Sequence, residues 1–402
     1  MKAKMLFIST YVPYPPIGGA YQRTYNLLLR ASRDYDIYFV GFEKNKEDCK
    51  NIDKLKEFCK EAISFRLPED WSRFSMLKQL IFNIFSIKPF TVCKYYKKDV
   101  VKAVQRLVND KKISILHIDM IDLADYRHDV EAVKTILTHH NVESILYFRI
   151  SEHASNLFTK AFWYIQYLKM LHFERKMCSR FTGNACVSEI DREAFSAIAP
   201  GASFRVVPNG VDTDYFHPNM EESSKKDIIF VGSLDWPANL DAINYFRSSI
   251  WPELKKLNLS IRLKVIGKGR DNRFPHDIGS SGIEYLGFVD DIRPHVWSSL
   301  AFIVPLRIGG GTRLKILDAM ALGIPVISTS IGCEGIDVSD GHNIVIADTA
   351  RDFALGIKRL SEDSKLRNIL SQKGRELVTS KYSWQIIYNE LKGLYDHGNP
   401  TF

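Results

Sequence analysis

The feature that most limits the fold is an alternation, met twice along the chain, of short aliphatic or β-branched runs with longer stretches of helical spacing. In the first half the runs begin at Met5 to Ser9, Ile37 to Val40, Ile113 to Ile118, Thr135 to Thr138 and Asn184 to Val187. In the second they are Ile228 to Val231, Arg262 to Ile266, Ile283 to Leu286, Leu300 to Val304, Pro325 to Ser328 and Asn343 to Ile346. Strand, helix, strand alternation predicts parallel strands joined by crossover helices, so each sheet is covered on both faces. The pattern resets near Pro208, where an Asn209-Gly210 turn follows, and Phe216 to Asp227 reads as a linker. A chain of 402 residues is too long for one ordinary core. The expected class is therefore α/β, with two doubly wound domains facing a central cleft. Ligands of such domains bind outside the carboxyl ends of the strands, and the strand-to-helix loops are where functional residues belong.

Composition excludes several classes. With 45% hydrophobic and 25% charged residues the chain is that of a soluble globular protein, and no run approaches the ~18 apolar residues of a membrane helix. The start, Lys2 to Ser9 before Tyr11, Pro13, Pro15 and Pro16, is too short in apolar residues for a secretory leader, so the cytoplasm is the expected compartment. Cys49, Cys59, Cys93, Cys178, Cys186 and Cys333 are scattered without a CxxC pair, which predicts reduced thiols and no metal site. The net charge of +8 is concentrated: residues 71–112 hold ten Lys and Arg against two Asp, interleaved with Phe74, Leu77, Ile81, Phe82 and Phe85. Such a region suits an anionic membrane surface, the inner face in this case, or a lipid-linked acceptor. It equally suits a solvated amphipathic helix pair. It matches no nucleic-acid module.

The strongest local signal follows the run Leu300 to Val304. There Gly309, Gly310, Gly311, Thr312, Arg313, Leu314, Lys315 open a helical pattern running to about Leu322. Glycines admit a ligand close to the backbone, the first helical turn offers free N–H groups, and Arg313 and Lys315 add a planar fork and a compact ammonium suited to phosphate oxygens. The spacing is not that of a Walker A loop. Gly18 and Gly19 follow the first strand without the third glycine of a dinucleotide fingerprint, so a plain tight turn is an equal reading, and Arg23 stands one helical turn on. His139, His140 and Asn141 follow the run Thr135 to Thr138. Glu143 in the same loop reads as a helix N-terminal carboxylate or an acceptor-side base. Glu334 follows the run Pro325 to Ser328 and reads as a hydroxyl ligand or a plain loop acid.

Four stretches, PPIGGAYQRTYNLL, VVPNGVDTDYFHP, FVGSLDW and GGGTRLKILDAMALGIPVIST, resemble retaining glycosyltransferases of the GT4 type, and the similarity runs over nearly the whole chain. The resemblance implies a GT-B fold: a Rossmann-like acceptor-binding domain at 1–208, a Rossmann-like nucleotide-sugar domain at 209–380, and a C-terminal helix, 381–402, packing back on the first domain. It implies no metal and no cofactor beyond the sugar nucleotide as cosubstrate. Arg313 and Lys315 then take the donor diphosphate, Asp318 takes the ribose hydroxyls in place of the usual Glu, and His140 faces the donor sugar. Gly18, Gly19, Ser233, Gly309, Gly310, Gly311, Thr312 and Glu334 complete the donor site. The family's other Glu is Gly310 here, and an Arg and a Lys common after the first strand of the second domain are Ser233 and Ala238. The implied activity is transfer of a hexose from a UDP- or GDP-sugar to a glycan, lipid-linked or other hydroxyl acceptor, with retention, in bacterial surface polysaccharide or glycoconjugate assembly. A sugar-nucleotide epimerase or a non-catalytic scaffold subunit would share the architecture.

Overall fold

A computed structural model describes residues 2–130, 134–154, 156–219, 227–269, 282–308 and 312–397. The chain divides into two compact units, one of Met1–Pro208 with Tyr388–Phe402, the other of Asn209–Ile387.

The first unit is built on seven parallel strands: β1 (Ala3–Ser9), β2 (Tyr35–Glu43), β3 (Glu61–Arg66), β4 (Ile115–Asp119), β5 (Lys134–Thr138), β6 (Gly183–Cys186) and β7 (Phe204–Val206), in the order β3-β2-β1-β4-β5-β6-β7. The order steps outward in both directions from β1 and β4, which makes their junction a topological switch point. Leu6, Ile8, Val40, Leu116, Ile118 and Leu137 are fully buried, as strands covered on both faces require. β3 was not expected from the sequence. It is an edge strand, EAISFR, with only Ala62 buried, so it lacks the apolar run that marks the central strands.

The second unit has six parallel strands, β8 (Ile228–Val231), β9 (Leu263–Ile266), β10 (Ile283–Gly287), β11 (Ala301–Val304), β12 (Val326–Ser328) and β13 (Val345–Ile346), ordered β10-β9-β8-β11-β12-β13. Here the switch point lies between β8 and β11. The helix Pro237–Tyr245 follows β8, and Leu314–Ala321 follows β11. Its apolar side (Ile316, Leu317, Met320) is buried, so the helix is held by packing while its first turn stays at the strand ends.

The tail forms three helices, Ala350–Glu362, Ser364–Lys381 and Trp384–His397. The last of them starts in the second unit and belongs to the first from Tyr388 onward. Within the first unit its end is pinned by polar contacts: Tyr388 Oη donates to Asp34 (2.5 Å), Tyr35 Oη to Asp396 (2.8 Å), and the buried Tyr395 Oη meets His117 Nδ1 at 2.8 Å.

Candidate functional site

In the second unit the candidate residues gather at the carboxyl ends of β8 and β11. Arg313 caps the Leu314–Ala321 helix in an extended conformation, so the chain turns into the helix at that residue. Lys315, in the first turn, sends its ammonium back across β8: Nζ donates to Asn239 Oδ1 (2.9 Å) and lies 4.2 Å from the centre of the Phe230 ring. Asn239 is itself fixed by donating to the Ser233 carbonyl (2.8 Å). Gly232 makes this path possible, because a Cβ there would stand 2.6 Å from Nζ and 2.8 Å from Asn239 Nδ2. Burial, with the Arg313 charge adding to it, pulls the Lys315 ammonium down to about 7.

One turn further along the same helix, burial alone pushes the Asp318 carboxyl up to about 8, so it is mainly protonated at neutral pH. Its Oδ1 is buried without a hydrogen-bond partner among the described residues, and so is Thr312 Oγ1. Each such atom costs about 1–3 kcal/mol in a folded protein. Lys315 and Asp318 share a helix face at i, i+3 yet form no ion pair among the described residues. A pre-set cation, a protonated acid and an unpartnered hydroxyl are what a ligand carrying phosphate and hydroxyl groups would satisfy together.

Arg307, at the exit of β11, is not available to that ligand. Its Nε and a terminal nitrogen engage both oxygens of Asp241 (3.1 and 2.5 Å), and the guanidinium lies over the Tyr245 ring. Ser233 follows β8, where its hydroxyl donates to the Lys268 carbonyl (3.1 Å) and caps the Asp235 N–H. Ala238 is buried in the next helix and offers no polar group. Glu334 lies half-buried after β12, in a turn tightened by Gly332 N–H donating to Thr329 Oγ1 (2.9 Å). Gly309, Gly310 and Gly311 lie outside the described residues.

The first unit gathers a second group at the ends of β1, β4 and β5. His140 Nε2 is 2.7 Å from Asp119 Oδ1, and the second oxygen of Asp119 accepts from Thr24 Oγ1 (2.6 Å) and Ser9 Oγ (3.3 Å). Burial pushes the Asp119 carboxyl up, but His140, His117 and Thr24 pull it further down, to about 2. A carboxylate held ionised in this way needs a donor. Nε2 therefore carries a proton toward it, which fixes the orientation of the imidazole. Sequence reasoning missed Asp119, although an acid that ends an otherwise apolar strand, ILHID, is the kind of signal that marks a strand-end site.

His139 and Arg23 are taken up by packing and backbone contacts. His139 packs 4.3 Å from the Phe195 ring, and burial drives its imidazole down to about 3. Arg23, one helical turn after the glycines, is drawn to the carboxyl end of β7. It is buried, donating to the carbonyls of Pro208 (2.6 Å) and Val207 (2.8 Å), which the end of β7 leaves in need of donors. Gly18 precedes the Gly19–Ala31 helix at φ 99°, where a side chain would be strained although the space around it is open. Glu143 does open the Glu143–Glu152 helix, as expected. Burial, reinforced by Asp122, nevertheless pushes its carboxyl up to about 8 and outweighs any gain from the helix dipole.

Two parallel doubly wound units, each with polar side chains collected at its strand ends, make up the GT-B architecture of nucleotide-sugar glycosyltransferases. The fold agrees over almost the full length with Anabaena Alr3699/HepE, solved in complex with UDP-glucose: TM-score 0.67, 13% identity, 98% of this chain and 99% of that one. Residues 225–363 match the family model described as Glycosyl transferases group 1. An uncharacterized 44.6 kDa protein in the cps region of Klebsiella pneumoniae is 26% identical over 404 residues, covering 97% of this chain and 99% of its own length. The lipopolysaccharide core biosynthesis glycosyltransferase LpsE of Rhizobium meliloti is 31% identical over 129 residues, covering 30% of this chain and 37% of its own.

Proposed function

We propose that this glycosyltransferase moves a hexose from a UDP- or GDP-sugar to a hydroxyl acceptor with retention and without a metal, in the assembly of a bacterial surface polysaccharide or glycoconjugate. The observation that carries the donor half is the Lys315, Asp318 and Thr312 group, with its cation set across β8 and two buried polar atoms without a partner among the described residues. Lys315 and Arg313 take the diphosphate and Asp318 the ribose hydroxyls, with Ser233 and Glu334 beside the donor. The cps-region and lipopolysaccharide-core relatives support the pathway class, and the UDP-glucose complex of the Anabaena protein supports a uridine donor first.

In the transfer the anomeric C–O bond to the phosphate breaks as the acceptor oxygen forms its bond on the same face, and the acceptor proton passes to the departing phosphate oxygen. The protein's part is positioning and charge stabilisation. Arg313 and Lys315 accommodate the growing charge on the diphosphate, and His140, oriented by Asp119, acts at the sugar. Calorimetry with UDP and GDP side by side tests the site. Arg313→Ala with Lys315→Ala should abolish binding, and unchanged affinity refutes the assignment. His140→Ala should keep nucleotide binding and lose most turnover, and normal turnover removes it from the site. Tight donor binding without turnover over a panel of acceptors would favour a scaffold, and a changed sugar without acceptor an epimerase.

A further inference from the structure

One part of the first unit is built with polarity reversed. In the helix Arg73–Ile84 the buried residue is Asn83, at 2% exposure, whereas Phe74 is 77% and Phe82 63% exposed. Just beyond the helix Phe85 is 86% exposed. The neighbouring helix Leu157–Cys178 repeats the arrangement over its first half: Gln166 is buried at 3%, while Leu157 and Phe158 stand 78% and 89% exposed. The two helices are fastened through the buried amides. Gln166 Nε2 donates to Asn83 Oδ1 (3.0 Å), Lys169 Nζ to the Asn83 carbonyl (2.7 Å), and the Phe90 N–H to Gln166 Oε1 (2.8 Å). A water-facing helix pair does the opposite, hiding its rings and exposing its amides.

The charges around these rings name the occupant. From Arg73 to Lys98 and from Asn156 to Phe173 the chain has no Asp or Glu, while Arg73, Lys78 and Lys160 are exposed beside the rings. Lys88 is tied to Asp125 and Lys169 to Asn83, so they add less. A two-fold pairing of this face with a second copy would set Arg73, Lys78 and Lys160 against a like-charged patch. An anionic bilayer meets both properties, taking the rings among its acyl chains and the cations at its headgroups. We propose that the Arg73–Ile84 helix, the segment to Ile87 and the first half of the Leu157–Cys178 helix form a surface that seats on an anionic lipid bilayer. The surface is built from first-unit residues and shares none with the donor group, so its test does not depend on the donor being a sugar nucleotide.

The experiment is flotation of the full-length protein with vesicles of phosphatidylglycerol against vesicles of phosphatidylcholine. Three exposed cations, each contributing about fivefold near an anionic surface, give an expected preference of roughly a hundredfold for phosphatidylglycerol. Phe82→Glu with Phe85→Glu and Phe158→Glu should weaken that binding by at least roughly tenfold, with calorimetric nucleotide affinity unchanged. Should that variant fail to fold, Arg73→Glu with Lys78→Glu and Lys160→Glu, all at exposed positions, should abolish the preference for phosphatidylglycerol. Binding that ignores the lipid charge or survives both sets of substitutions overturns the proposal. So does a concentration-dependent dimer that the Phe variant dissolves while neither vesicle binds.

Discussion

Lys315 and Asp318 stand three residues apart on one helix with opposite protonation states to resolve, and binding of a nucleoside diphosphate should reveal both. Without ligand the ammonium lies at about 7 and the carboxyl at about 8. The diphosphate demands a charged lysine, so at pH 7 binding takes up about half a proton at Lys315. Two ribose hydroxyls donating to an ionised Asp318 demand release of about nine-tenths of a proton there. The two requirements oppose each other, and the wild-type affinity should change little between pH 7 and 8. Asp318→Asn leaves only the lysine, and its affinity should fall roughly fivefold over that unit, as the charged fraction drops from about a half to about a tenth. Lys315→Met, similar in length and not titrating, leaves only the acid; weaker throughout, it should tighten roughly fivefold over the same unit. The terminal phosphate of the ligand is nearly fully ionised across this range, its second pKa lying at about 6. Titration calorimetry in two buffers of different ionisation enthalpy measures both the affinities and the protons exchanged. If all three proteins share one pH slope, neither residue touches the ligand and the donor site lies elsewhere.

Two other substitutions test the frame around these groups. Gly232→Ala would set a methyl 2.6 Å from Lys315 Nζ. It should weaken nucleoside diphosphate binding by roughly tenfold or more while melting near the wild type, because the displaced group is a polar side chain and not the core; equal affinity would show that the ammonium's position is immaterial. Asp119 is held at about 2, below its ordinary 3.8, so its contribution is fully present above pH 4 and is lost as pH falls through 2. That contribution is worth about 2 kcal/mol, and thermal melts should show the wild type losing stability between pH 4 and 2 more steeply than Asp119→Asn. Parallel curves would mean that the carboxylate is not held by His140 and Thr24.

The fold was legible wherever a strand is covered on both faces. Ile37 to Val40 and Leu300 to Val304 carry unbroken hydrophobic runs because they are buried throughout, and each marks a central strand. The edge strand β3 escaped for the converse reason, its side chains being mostly half-buried. Lys315 and Asp318 were legible as a motif, but their protonation was not: it follows from burial, and Lys315 is buried against Phe230, Asn239 and Gly232, which come from another strand and helix. For Arg23 the partners, not the place, were hidden. Sequence spacing placed it near the glycines, whereas its partners, the carbonyls of Val207 and Pro208, lie about 185 residues on and no local pattern announces them.

The final helix has a bearing on how the protein comes into being. The seven strands of the first unit precede the second unit in the chain, yet the segment from Tyr388 that meets Asp34, Tyr35 and His117 follows it. A ribosome at ~5–20 residues per second emits those residues only after the whole second unit has been translated. Co-translational completion of the first unit therefore waits for synthesis of the second, and a premature stop before Tyr388 would damage a unit whose strands were made long before it.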